Sequence, residues 1–177
     1  AQATIYPGWM DAHAHFLGYA QGLGEVNLVG TASWAEVLER LASGEGEWLI
    51  GRGWDQNDWE QPEFPTREEL DARYPDRPVV LQRIDGHALV ANGAALAAAG
   101  ITGDAVFEGG EVVLDAAGRP TGVLIDAAAA AVLAVVPEPD SLMKVAALQA
   151  AEQRLAAVGL TTVVDAGLSV EDIRLMN

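Results

Sequence analysis

The apolar positions of this chain recur with two periods, and the switches between them mark its elements. Short alternating or continuous apolar runs, the signature of strands, fall at residues 9–15, Val26–Val29, Trp48–Ile50, Val79–Ile84 and Leu160–Val164. Two more, Glu111–Leu114 and Thr121–Ile125, flank the turn residues 115–120 and read as a β-hairpin. Helical spacing places Trp34, Val37, Leu38 and Leu41 on one face of a helix over Trp34–Leu41, capped by Thr31 or Ser33. Thr66-Arg67-Glu68-Glu69 has the form of a capping box opening a helix to about Arg73. Asn92 suits the cap of a helix over Gly93–Ala99 that Gly100 stops. Ala127–Val136 reads as helix up to Pro137. Ser141 is expected to cap a longer helix through Val158, with Leu142, Val145, Leu148, Ala151, Glu152 and Leu155 at helical spacing, Glu152 being the polar exception, and Ser169 opens a last helix. Phe16–Gly24 is Gly-rich and Gln56–Pro65 holds two prolines, so both read as loops. Residues 1–6 read as the tail of a strand.

Composition narrows the class. With 177 residues, half of them apolar, the chain can bury a core. No apolar run is long enough to cross a bilayer. A net charge of −16 argues against nucleic acid and anionic membrane as partners. There is no cysteine, so a metal would have to be held by histidine and carboxylate. No secretory leader pattern is visible, which makes the cytoplasm the default expectation; a homo-oligomer is left open.

The chemistry concentrates in Pro7-Gly8-Trp9-Met10-Asp11-Ala12-His13-Ala14-His15-Phe16, which holds two of the three histidines. In an extended strand, alternate residues share a face, so Asp11, His13 and His15 project together. Two neutral imidazoles aimed at one point form part of a site for zinc or a similar divalent ion. The competing reading is two imidazoles bonded to backbone or water at a strand end. This segment resembles the first barrel strand of the amidohydrolase superfamily, in which a Pro-Gly-apolar-apolar-Asp-x-His-x-His string carries two metal-ligating histidines. The resemblance continues through Gly51–Asp55, Phe64–Asp71, Asp76–Leu81, Asp85–His87, Gly118–Leu124 and Gly159–Gly167. In that order these segments resemble the amidohydrolase-3 branch, which includes N-substituted formamide deformylase-like proteins.

The resemblance implies an α/β fold: a (β/α)8 TIM barrel, of which strands one and two are present here, with a long α+β insertion containing the hairpin between them. The corresponding division is 1–24 for barrel strand one with the His pair and its loop, 25–140 for the insertion, and 141–177 for a helix, barrel strand two and the start of the next helix. A whole barrel takes roughly 200–250 residues. The chain is therefore expected to be the N-terminal part of a metal-dependent amidohydrolase, inactive by itself. The parent would cleave an amide-like, non-peptide C–N bond of a small molecule with metal-activated water. The bridging lysine or acid, further histidines and catalytic aspartate implied by the family would lie beyond residue 177. His13 and His15 are then metal ligands for one or two ions, zinc by default with iron or manganese open, and Asp11 orients the strand or a histidine. In this chain alone the ion could be missing.

Five further residues are substrate-binding candidates, each with a plainer alternative. His87 could reach substrate or sit idly in an Asx turn; Trp54 could wall the pocket or belong to the core. Asp55 and Asp126 could face substrate or cap the next turn and helix. Asp165 could line the pocket at the end of barrel strand two or cap the helix near Ser169. The rival to an enzyme is a non-catalytic binding or assembly module that retains the His pair.

Overall fold

The computed structural model describes residues 4–176, which form a mixed α/β fold with two sheets and seven α-helices. In chain order these are β1 (Trp9–Ala14), α1 (Phe16–Gly22), β2 (Val26–Asn27), α2 (Trp34–Leu41), β3 (Leu49–Trp54), α3 (Glu68–Arg73), β4 (Val79–Arg83) and β5 (Ala88–Ala91). They continue with α4 (Gly93–Ala98), β6 (Gly110–Leu114), β7 (Pro120–Asp126), α5 (Ala127–Leu133), α6 (Ser141–Ala157), β8 (Leu160–Asp165) and α7 (Val170–Met176). The chain divides into two compact units, one of residues 25–137 and the other of residues 1–24 with 138–177.

The 25–137 unit is a six-stranded sheet in the order β2-β3-β4-β5-β7-β6. β2, β3 and β4 run parallel, and the connections that hold α2 and α3 supply the crossovers that parallel neighbours need. β4–β5 and β6–β7 are antiparallel hairpins, and β5 also pairs with β7. Two apolar clusters form its core. One packs Leu28, Leu38, Leu41, Trp54, Leu70 and Leu81; the other packs Val80, Leu89, Leu96, Leu124 and Val132. Val80 and Leu81 are neighbours on β4 yet fall in different clusters, as the alternation of side chains across a two-faced sheet requires.

Close approach of backbone makes one glycine necessary here. Gly122 on β7 sits at φ +99, and a Cβ there would lie 2.6 Å from the Ala91 carbonyl oxygen and 2.7 Å from Arg67 Cβ. Gly122→Ala is expected to destabilise the protein by about 2 kcal/mol or more, from the disfavoured φ and the overlap together. Urea denaturation of the pair measures it, and a loss under about 0.5 kcal/mol would show that the strand shifts freely.

In the 1–24/138–177 unit, β1 and β8 pair in parallel, with Trp9 opposite Leu160 and Ala14 opposite Asp165. α1 follows β1, α6 leads into β8, and α7 follows it. Among the described residues of this unit, only Leu17, Ala20 and Ala151 are buried. Trp9 (68%), Met10, Leu142 and Val158 stand well exposed.

Several expectations need correcting. Residues 16–24 are not a loop but mostly α1, which buries Leu17 and Ala20. Its first turn is held by the Asp165 carboxylate, which accepts from Leu17 N–H at 3.1 Å. Thr66 does not close a capping box: Arg67 is the N-cap of α3 and no side chain bonds the helix start. Asp140, not Ser141, caps α6, accepting from Met143 N–H at 2.8 Å. The helix after β7 ends at Leu133 rather than running to Val136, and Ala88–Ala91, to which the sequence pattern assigns no element, is a strand. Of the strand expected over 1–6, residues 1–3 lie outside those described, and 4–6 carry no regular structure. The α2, Asn92-capped α4 and hairpin expectations agree with the structure.

Candidate metal centre and neighbouring polar groups

His13 lies in β1, and His15 follows as the N-cap residue of α1. The alternation of the strand brings the two imidazoles to 5.8 Å between ring centroids, at 83° to each other. Both side chains are exposed, and neither ring nitrogen makes a hydrogen bond among the described residues. The Asp11 carboxylate accepts from His13 N–H at 3.0 Å, so it fixes the strand backbone. Gly167 lets the segment after β8 come close to the second imidazole: a Cβ there would lie 3.3 Å from His15 Nδ1.

Two uncommitted imidazoles side by side suit a borderline divalent ion, and the absence of thiolate from the sequence fits a nitrogen–oxygen donor set. Among the described residues no group of three or more histidines and carboxylates could complete such a site. The pair is therefore half of the usual set of about four ligands.

Beside His15 opens a cavity of about 700 Å³, lined among others by Leu17, Gln21, Lys144, Asp165 and Asp172. Lys144 is the only lysine of the chain. Its largely buried side chain reaches Glu138 at 3.3 Å and Asp172 at 3.8 Å. The Ser169 hydroxyl, donating to Asp172, holds that carboxyl below the usual carboxylate range. Asp165 spends one oxygen on Leu17 N–H and the other on Gly167 N–H, so it caps α1 and its own turn while facing the cavity. Ser169 and Asp172 cap α7 reciprocally, which leaves Asp165 no part in that helix.

The remaining candidates lie in the 25–137 unit. His87 Nδ1 is 2.9 Å from Asp126 Oδ1, and Asp126 N–H donates to the His87 carbonyl at 2.8 Å. Asp126 is the one non-glycine residue with positive φ (48°) among those described, and its carboxylate makes no cap to α5. Asp85 accepts from His87 N–H and is gripped by Arg83 through two bonds of 2.9 and 2.6 Å. Those bonds push the Asp85 carboxyl down and the Arg83 guanidinium up, and the charges of Asp55 and Asp126 add to the second effect. The ends of β3, β4, β5 and β7 thus gather Asp55, Arg83, Asp85, His87 and Asp126. Asp55 itself caps a short 3-10 turn, accepting from Asn57 N–H at 3.0 Å. Trp54 is fully buried, its Nε1–H donating to the Leu81 carbonyl at 2.8 Å.

Arg83 and Lys144 were not singled out in the sequence. The signals present were an Arg-x-Asp at a strand end and a solitary lysine in a chain of 26 acids.

Comparison with known proteins bears on these groups. A family model described as amidohydrolase family matches residues 1–175. Over 165 residues the chain is 38% identical to YtcJ of Bacillus subtilis (strain 168), which carries an amidohydrolase name, covering 90% of this chain and 31% of that one. It is 32% identical over 184 residues to N-substituted formamide deformylase of Arthrobacter pascens, covering 97% and 34%. The crystal structure of an uncharacterized metal-dependent hydrolase from Pyrococcus horikoshii OT3 matches with a TM-score of 0.71 and 27% identity, over 96% of this chain and 33% of that one. The chain spans about a third of the length of the relatives it matches. On the family match over nearly its whole length, this chain belongs to the amidohydrolase family.

Proposed function

We propose that this chain is the N-terminal part of a metal-dependent hydrolase that cleaves an amide-like C–N bond of a small molecule. The observation that carries the reading is the imidazole pair at the end of β1, adjacent and uncommitted, in a chain of this family. His13 and His15 would hold a divalent ion, zinc first among the choices. When bound, such an ion acidifies water and polarises a carbonyl oxygen. The remaining ligands would come from the two-thirds of the relatives' length that this chain does not span.

The parallel pairing of β1 with β8, reached through helix α6, is consistent with two strands of a (β/α)8 barrel, with 25–137 inserted between them. On this reading Asp11 steadies the end of β1 and Asp165 fixes the start of α1.

Metal titration tests the ligands separately from the chemistry. In calorimetry with Zn²⁺, His13→Ala and His15→Ala are each expected to weaken binding by about 10-fold or more, and the double variant to abolish the high-affinity phase. Undiminished Zn²⁺ binding by the double variant would remove the assignment. In the full-length protein, either variant should lower kcat/KM by about a thousand-fold or more while the fold persists by circular dichroism. The 177-residue chain alone should be inactive. The lack of a third ligand among the described residues favours one rival, a non-catalytic binding or assembly module. A metal-loaded full-length protein that hydrolyses no amide, formamide or cyclic amide would select it.

A further inference from the structure

We propose that a cleft in the 25–137 unit, between the start of α2 and the segment 59–65, binds an organic cation of the alkylated-ammonium class. The cleft has a volume of about 360 Å³ and is walled by Trp34, Trp59 and Phe64, with Glu60 and Glu63 among its other lining residues. The indoles of Trp34 and Trp59 lie 6.2 Å apart at 44°. Behind them Trp54 packs 5.9 Å from Trp59 and 6.5 Å from Phe64. Trp54 is itself pinned by its bond to Leu81, so the aromatic wall is built on the rigid core.

The charge of the cleft selects the ligand. No lysine, arginine or histidine lines it. Glu60 and Glu63 are exposed and make no ion pair among the described residues. Ring faces carry negative potential, and carboxylates beside them add to it, so the combination favours a desolvated cation over a neutral or anionic guest. Phe64 already shows this preference, since the Arg83 guanidinium lies over its ring at 5.7 Å from the centroid. That guanidinium is neutralised by Asp85 and does not satisfy the two glutamates. Trp59 is only 8% exposed, so it forms the floor of the cleft. A quaternary ammonium needs no hydrogen-bond partner and is recognised by such surfaces.

The test uses choline and 3,3-dimethylbutan-1-ol, which share a shape and differ by the charged nitrogen. Each is titrated into the 177-residue chain at matched ionic strength, and the indole N–H signals are followed by ¹H–¹⁵N NMR. Choline is expected to move the Trp34 and Trp59 signals saturably and leave those of Trp9 and Trp48 in place, with the alcohol at least about 3-fold weaker. Replacing both acids, Glu60→Gln with Glu63→Gln, should weaken choline about 2- to 5-fold and leave the alcohol unchanged. Both are surface positions, so this double variant keeps the test independent of folding. Trp34→Leu should abolish the response, with the melting curve checking the fold. Equal affinity for the two probes, no saturable shift up to on the order of 100 mM choline, or an unaffected double variant would each overturn the proposal.

Discussion

Asn92→Ala should lower the unfolding free energy by about 3–5 kcal/mol, the largest loss expected from any single side chain of this protein. Asn92 is fully buried and uses its whole amide. Its Oδ1 accepts from Val79 N–H at 2.9 Å and from Ala95 N–H at 3.1 Å. Its Nδ2 donates to the carbonyls of Tyr74 at 2.8 Å and Arg77 at 2.9 Å. One side chain therefore ties the end of α3, the start of β4 and the first turn of α4. Alanine keeps the helix but strands two donors and two acceptors, and each buried orphan costs roughly 1–3 kcal/mol before any water enters. Asn92→Asp discriminates the mechanism. It keeps the acceptor for Val79 and Ala95 but turns a charge toward two carbonyls, so it should be no better than alanine at neutral pH. Urea midpoints with an unchanged slope would report both losses, and a cost under about 1 kcal/mol for alanine would show that the cavity rehydrates freely.

The same residue shows how far local pattern reaches. Its cap to α4 was legible because Asn followed by a Gly-Ala helix start is a short-range signal. Its bonds to Tyr74, Arg77 and Val79 were not, because they depend on where β4 lies. The His pair and the β6–β7 hairpin were legible for the same local reason: alternation places His13 beside His15, and the 115–120 turn closes on itself.

What escaped was nonlocal. Ala88–Ala91 is a strand only because β4 and β7 bond it on both sides; four apolar residues have no period of their own to reveal it. α1 carries Gly18 and Gly22, which argue for a loop, and the group steadying its start, Asp165, is 148 residues away. Asp126 is placed for a helix cap by sequence position, yet its carboxylate turns to His87, 39 residues back. The face predicted for α6 is only partly realised: Ala151 is buried, whereas Leu142 stands open. Periodicity foretold that helix but not what would cover it.

The second large effect follows from how unevenly burial is shared. A polypeptide of residues 25–137 alone should fold cooperatively, with a single urea transition and an unfolding free energy of about 5 kcal/mol or more. Both apolar clusters, from Leu28 through Val132, are built wholly from its own residues. The Asn92 and Trp54 bonds that lock the sheet also begin and end inside it. Its sheet edges are suited to standing alone: β2 is two residues long, and β6 at the other edge carries Glu111. By contrast, the described residues of 1–24 joined to 138–177 bury three side chains and expose Trp9, Met10 and Leu142, too little apolar burial to offset the entropy of ordering three helices and a strand pair. That polypeptide should show no cooperative transition and should aggregate or bind a hydrophobic dye. Hydrogen exchange on the intact chain supplies the complementary measurement. Amides of β4, β5 and β7 should exchange only by global opening, and those of β1 and β8 should exchange orders of magnitude faster. If 25–137 instead proved molten while the intact chain protected β1 and β8 as strongly as β4, stability would have to come from the whole chain acting as one cooperative unit, and the His pair would rest on a scaffold far stiffer than its own burial supports.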